Sequence, residues 1–89
     1  MTTNAVAERF THNLLRARKS ADLTQEEIAF RAALHRTEIG LLERGLRIPR
    51  IDTLVKLAGA LGVEPAALLD GIAWHPGDYR PGGFVESER

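Results

Sequence analysis

The tightest constraint on this chain is how little sequence separates two of its helical segments. Thr24-Gln25-Glu26-Glu27 is a capping box, in which the Thr24 hydroxyl can accept from the Glu27 amide while the Glu27 carboxylate accepts from the Thr24 amide. It opens a helix from Gln25 to about Ala32 that buries Ile28 and Ala29. Ile39 and Leu42, three residues apart, mark one face of the next helix, Arg36 to Arg44, which Gly45 stops. Between the two lie Ala33, Leu34 and His35. Helices this short, joined by so few residues, must cross steeply, and the N-terminal end of the second is turned outward.

The flanking sequence supplies helices to hold that unit. Phe10, Leu14, Ala17 and Ala21 recur at helical spacing, predicting an amphipathic first helix over residues 5–20. After Pro49, the residues Ile51, Leu54, Leu57, Ala58 and Leu61 predict a fourth helix of about eleven residues, closed by Gly62. Pro65 suits the first turn of a short fifth helix carrying Leu68 and Leu69, with Gly71 behind it. With no strand alternation anywhere, the expected fold is all-α, a compact five-helix domain over residues 5–71. Residues 72–89 contain Pro76, Pro81, Gly77, Gly82 and Gly83 and have no helical period. They also hold Trp74, Tyr79 and Phe84, so they are expected to form an extended aromatic arm packed on its own domain, a second subunit or another protein.

Composition narrows the function classes. Cysteine is absent, so neither disulfides nor thiolate metal sites can support the fold. His12, His35 and His75 are too scattered for metal-ligand spacing, and no metal or other cofactor is expected. Ser20 and Ser87 are the serines, and no nucleophile elbow, phosphate-binding loop or helical zinc motif occurs, so an enzyme is not expected. No apolar run reaches membrane length and Met1 to Arg9 lack the order of a secretory signal; a cytoplasmic, nucleoid-associated protein is expected. The net charge is zero but polarised: from Arg9 to Lys56, ten basic residues face six acidic ones, and the remainder is acidic. That polarity suits a partner rich in phosphate.

A B-DNA major groove admits one helix, and helix-start amides near Gln25 and Arg36 are natural seats for backbone phosphates. The residues Leu23-Thr24-Gln25-Glu26-Glu27-Ile28-Ala29, Ile39, Glu43-Arg44-Gly45, Pro49 and Thr53-Leu54-Val55-Lys56-Leu57-Ala58-Gly59-Ala60-Leu61-Gly62-Val63 extend the reading. Together, in register over about residues 8–70, they resemble the Cro and lambda-repressor type helix-turn-helix, or Xre, family. The resemblance implies a sequence-specific double-stranded DNA-binding transcriptional regulator, a repressor, acting as a homodimer on a pseudo-palindromic operator. It places Arg36, Thr37, Gly40 and Leu41 at base edges, with His35 at the rim. Arg36 could contact guanine with two hydrogen bonds and Leu41 a thymine methyl. Gln25, Arg44, Arg47 and Arg50 are expected on the sugar-phosphate backbone, and Arg18 with Glu43 as a salt bridge between the first and third helices. Leu61, Val63, Leu68, Leu69, Ile72 and Trp74 are expected at a dimer interface. Glu38 is expected to orient Arg36 or a neighbour, or else to accept from cytosine.

The chain departs from the family pattern at three helix ends. Ala33 stands where relatives usually have glycine, and His35 and Arg50 stand where they often have a capping serine. If phosphate contact has replaced capping, His35→Ser and Arg50→Ser should both raise stability and weaken binding. An antitoxin or restriction-control protein, with the arm on a protein partner, would share this DNA chemistry. A protein-bridging module would have no need of Arg36, Arg44, Arg47 and Arg50 so close together.

Overall fold

The computed structural model describes residues 3–87. Five helices come first: α1 (Thr3–Ser20), α2 (Gln25–Ala32), α3 (Arg36–Glu43), α4 (Ile51–Leu61) and α5 (Pro65–Leu68). Two strands follow, β1 (Ile72–His75) and β2 (Gly83–Glu86), paired antiparallel with Trp74 opposite Phe84. The all-α expectation is corrected by this ribbon. Its strands are only four residues long, and the pairing depends on a tight return through Pro76 to Gly82, so no alternation long enough to read exists in the sequence. Residues 88 and 89, the end of the expected arm, lie outside the described residues.

The core is one cluster. Phe10 and Leu14 of α1, Ile28 of α2, Ile39 and Leu42 of α3, Leu57 of α4 and Leu68 of α5 are its large, fully buried side chains. Each helix thus contributes one apolar stripe, and burying a side chain of this size is worth roughly 1.5–3 kcal/mol. Three residues of the predicted stripes lie elsewhere, Leu69 being 44% exposed just past the end of α5. Ala21 is exposed beyond the end of α1, and Ile51 is 81% exposed at the first turn of α4. Leu61 and Leu68, expected between subunits, belong to the core of the single chain, at 8% and 0% exposure, because α5 folds back over α1 and α4.

The helix ends are closed by a repeated device. After α1, α2, α3 and α4 the chain turns through a left-handed residue whose successor's amide reaches back five positions to a helix carbonyl: Leu23 to Arg18, Leu34 to Ala29, Leu46 to Leu41 and Val63 to Ala58. This satisfies carbonyls that the helix leaves open. Gly45 and Gly62 take the left-handed position at no steric cost, whereas Asp22 and Ala33 occupy it at φ 56° and 53°. Ala33 therefore keeps the turn geometry that glycine would favour. Polar side chains of α1 close the far end of the bundle, where Asn13 Nδ2 donates to the carbonyls of Leu68 and Asp70 at 3.0 and 2.8 Å, and Arg9 Nε donates to Asp70 O at 3.0 Å.

Candidate nucleic-acid interface

The capping box forms as expected. Glu27 N donates to Thr24 Oγ1 at 3.1 Å and Thr24 N to Glu27 Oε1 at 3.0 Å, which fixes where α2 begins. The backbone hydrogen bond from Thr24, reinforced by the threonine hydroxyl and by Arg31, holds the Glu27 carboxyl below its ordinary value. Ala33 to His35 then redirect the chain, and α3 starts at Arg36 beside the N-terminal end of α2.

Around that junction lies a shallow groove lined by Gln25, His35, Arg36, Thr37, Gly40 and Arg44. All six were expected from sequence at the DNA interface, His35 at its rim, and Gly40 among them has no atom within 4 Å of where a Cβ would stand, so this side of α3 is open. Arg36 and Thr37 are exposed and Leu41 is half-buried, while Ile39, Leu42 and Glu43 face inward. Arg44, Arg47 and Arg50 are exposed as well. The α3 surface thus divides into an inner apolar stripe and an outer one edged with arginines.

Several side chains in this region are braced. Arg18 and Glu43, expected as a salt bridge, meet through two of the three guanidinium nitrogens, Nε to Oε2 and Nη2 to Oε1, the latter at 2.9 Å. Their side chains are 16% and 4% exposed, so the pair sits largely out of water. Arg18 Nη1 also donates to Leu23 O at 2.9 Å, tying α1 to the entry of α2. Gln25 Nε2 donates to Glu43 Oε1 at 2.8 Å, a link the sequence reading missed because the two residues are eighteen apart on different helices.

Glu38 pairs with Arg47 and not with Arg36, the first partner expected. It accepts from Arg47 Nη1 at 2.6 Å, whereas Arg36 Nε approaches Glu26 Oε1 at 3.8 Å. Both are surface pairs, and such contacts contribute roughly 0–1 kcal/mol. Their effect is on where the arginines point.

His35 overturns half of the capping expectation. Its Nδ1 accepts from Thr37 N at 3.1 Å, so the histidine is itself the N-cap of α3. An imidazole accepting at Nδ1 carries its proton on Nε2, which remains a donor. Capping and anion contact are compatible in one ring. Arg50 conforms to the expectation: it makes no side-chain cap to α4, and its Nε instead approaches Asp52 Oδ1 at 3.3 Å.

The pattern of the HTH_3 helix-turn-helix family matches residues 14–68, which span α2, the turn and α3 with most of their supporting helices. The chain belongs to the HTH_3 family. Like other HTH_3 proteins of Xre type, it is a DNA-binding transcriptional regulator. It is 41% identical over 69 residues to control protein C.BamHI of Bacillus amyloliquefaciens, covering 76% of this chain and 85% of that one. It is 42% identical over 57 residues to the HTH-type transcriptional regulator y4dJ of Sinorhizobium fredii, covering 64% of this chain and 74% of that one. Among solved structures it is similar to the restriction-modification controller protein C.AhdI of Aeromonas hydrophila. The TM-score is 0.70 at 38% identity, over 72% of this HTH_3 chain and 97% of C.AhdI.

Proposed function

We propose that this HTH_3 regulator binds a pseudo-palindromic operator as a homodimer, each copy laying the outer side of α3 in the major groove, and represses transcription there. The observation that carries this reading is the exposed, arginine-edged side of α3, opposed to a fully buried stripe on the same eight-residue helix. Arg36 and Thr37, with Gly40 leaving room and Leu41 beside them, take base edges; His35 stands at the rim. Gln25, Arg44, Arg47 and Arg50 take the phosphate backbone. One copy offers few base contacts, so two half-sites about one helical turn apart supply affinity and selectivity together.

Selection from random double-stranded oligonucleotides, repeated with Arg36→Ala, tests the assignment. Loss of preference at one position per half-site, at a cost of about 1–3 kcal/mol, is expected for a base-reading arginine. Uniform weakening with the preferred sequence intact would move Arg36 to the backbone set. No selected sequence even at low salt would reject DNA reading.

A second, narrower reading is favoured by two of the relatives. C.BamHI is a control protein and C.AhdI a restriction-modification controller, so this chain serves the same kind of control. Its operator would then lie upstream of restriction-modification genes, and binding of the purified protein to that upstream DNA over unrelated DNA is the test. No helix among the described residues is long and apolar enough to cross a membrane, consistent with action on DNA in the cytoplasm.

A further inference from the structure

The exposed arginines Arg36, Arg44, Arg47 and Arg50 each meet an acceptor of their own chain, and one of these contacts differs from the rest. Arg36 Nε stands 3.8 Å from Glu26 Oε1 with both side chains mostly in water, and Arg50 Nε stands 3.3 Å from Asp52 Oδ1 with Arg50 85% exposed. Arg44 Nε donates to Gly40 O, one turn back, at 3.2 Å. Arg47 Nη1 donates to Glu38 Oε2 at 2.6 Å, the shortest of the four, and the Glu38 side chain is only 24% exposed. A short, charge-assisted bond to a carboxylate that is largely out of water restrains a guanidinium more than looser contacts in water do.

Both ends of that contact are fixed. In α2 the glutamate three residues after the N-cap closes its own first turn, where Glu27 accepts from Thr24 N. Glu38 holds the same position in α3, three residues after His35, but its carboxylate is committed to Arg47, nine residues further on. The amide-rich start of α3 favours a negative charge there. Arg47 comes directly after the turn that closes α3, in which Gly45 N donates to Leu42 O at 3.2 Å, Leu46 N to Leu41 O at 3.0 Å and Thr11 Oγ1 to Leu42 O at 2.6 Å. The root of the loop is therefore held to the helix, and the carboxylate ties the end of the Arg47 side chain to the first turn of that same helix. The bond engages Nη1, so Nε and Nη2 remain as donors in a set orientation. Leu41, three residues after Glu38 and on the same flank of α3, belongs to the proposed base-reading set, so this clamp borders the reading surface.

We propose that Glu38 is a positioning residue for DNA recognition: its carboxylate holds Arg47 so that the free edge of the guanidinium meets a backbone phosphate without having to be ordered on binding. This rests on the reading of α3 in the major groove given above, and names the residue that prepares the phosphate contact on the loop side. Two effects of opposite sign compete at Glu38. A carboxylate beside DNA repels phosphate, whereas one that fixes an arginine removes the entropy cost of immobilising a long side chain at the interface. The short contact favours the second, because the guanidinium largely cancels the charge of Glu38 while the orienting bond is at full strength. An arginine fixed in direction fits the docking in which a phosphate lies on its free edge and adds little to DNA held in other registers. Glu38 thus favours the operator over unrelated duplex.

The sign of the Glu38→Ala effect tests this. Affinities are measured on the duplex that the wild type selects from random oligonucleotides and on a random-sequence duplex, each at several salt concentrations. Glu38→Ala should bind the selected duplex about two- to tenfold more weakly, although it carries one negative charge fewer, and the random duplex as tightly as the wild type or more so. The slope of log affinity against log salt should stay that of the wild type, because Arg47 still reaches its phosphate, whereas Arg47→Ala should lower its magnitude by about 0.9. In the Arg47→Ala background, Glu38→Ala should no longer weaken binding. Thermal melts should be close to that of the wild type throughout, since a surface pair of this kind contributes little to stability. Equal or tighter binding of the selected duplex by Glu38→Ala would overturn the proposal, as would equal weakening on both duplexes or the same loss in the Arg47→Ala background. A wild type that selects no sequence would instead reject the DNA reading on which the proposal rests.

Discussion

Gln25 donates from Nε2 to Glu43 Oε1 at 2.8 Å, the same carboxylate oxygen that accepts from Arg18 Nη2 at 2.9 Å. A residue at the groove is thereby fastened, through one nearly buried carboxylate, to a guanidinium on α1. Removing Glu43 would leave Arg18 largely buried without its anionic partner. Glu43→Ala should therefore cost about 3 kcal/mol in urea unfolding, and the double change Arg18→Met with Glu43→Leu should recover most of that. Equal instability of the single and double variants would show that the loss does not come from the unpaired charge.

Ala33 closes α2 at φ 53° with its side chain exposed. Left-handed backbone costs a residue with a Cβ roughly 1–2 kcal/mol, and glycine removes that cost while adding some freedom to the unfolded chain. Ala33→Gly should raise stability by about 1 kcal/mol, read as a higher urea midpoint at unchanged slope. A lower midpoint would mean that the turn is not strained as its φ implies.

The two family departures at helix starts separate experimentally. Arg50 gives α4 no side-chain cap, so Arg50→Ser should add about 1 kcal/mol of stability and, on the backbone-contact assignment, lower the salt dependence of DNA binding by about one unit of slope. His35 already caps α3, so His35→Ser should leave stability nearly unchanged, whereas His35→Ala should cost about 1 kcal/mol. Thermal melts of the three variants, with binding measured at several salt concentrations, distinguish these cases.

Stability should also respond to acid through Glu27. The hydrogen bond from Thr24 N, with help from the Thr24 hydroxyl and Arg31, depresses its folded-state pKa. A depressed carboxyl contributes stability that is fully present above the ordinary glutamate value of about 4.3 and fades as pH falls through its own lower value. Wild type minus Glu27→Gln, compared by urea unfolding from neutral to strongly acid pH, should show a difference that shrinks over that acid range. A difference independent of pH would place the benefit elsewhere than in the charged capping box.

The helical body was legible because its signals are local. The capping box fixed the start of α2 at Gln25, and Gly45 and Gly62 marked the ends of α3 and α4, each needing only a few residues in sequence to be recognised. The groove was legible for the same reason: Arg36, Thr37 and Gly40 fall on the side of α3 opposite Ile39 and Leu42 whatever the rest of the chain does. His35 was misjudged because its ring can point toward or away from the helix it precedes, and composition carries no rotamer. The ribbon was missed because four-residue strands leave too short a period to detect.

Sequence by itself determined the helix starts and stops, the apolar stripes and the outward arginines, since each depends on contacts within a turn or two of the backbone. Tertiary structure alone decided that Leu61 and Leu68 serve the monomer's core, that Glu43 joins Arg18 to Gln25, that Glu38 holds Arg47, and that residues 72–86 return on themselves as a ribbon. Those outcomes depend on how separate elements cross and which side chains then come within hydrogen-bonding or packing distance. Such distances are properties of the folded arrangement and have no counterpart in residue spacing.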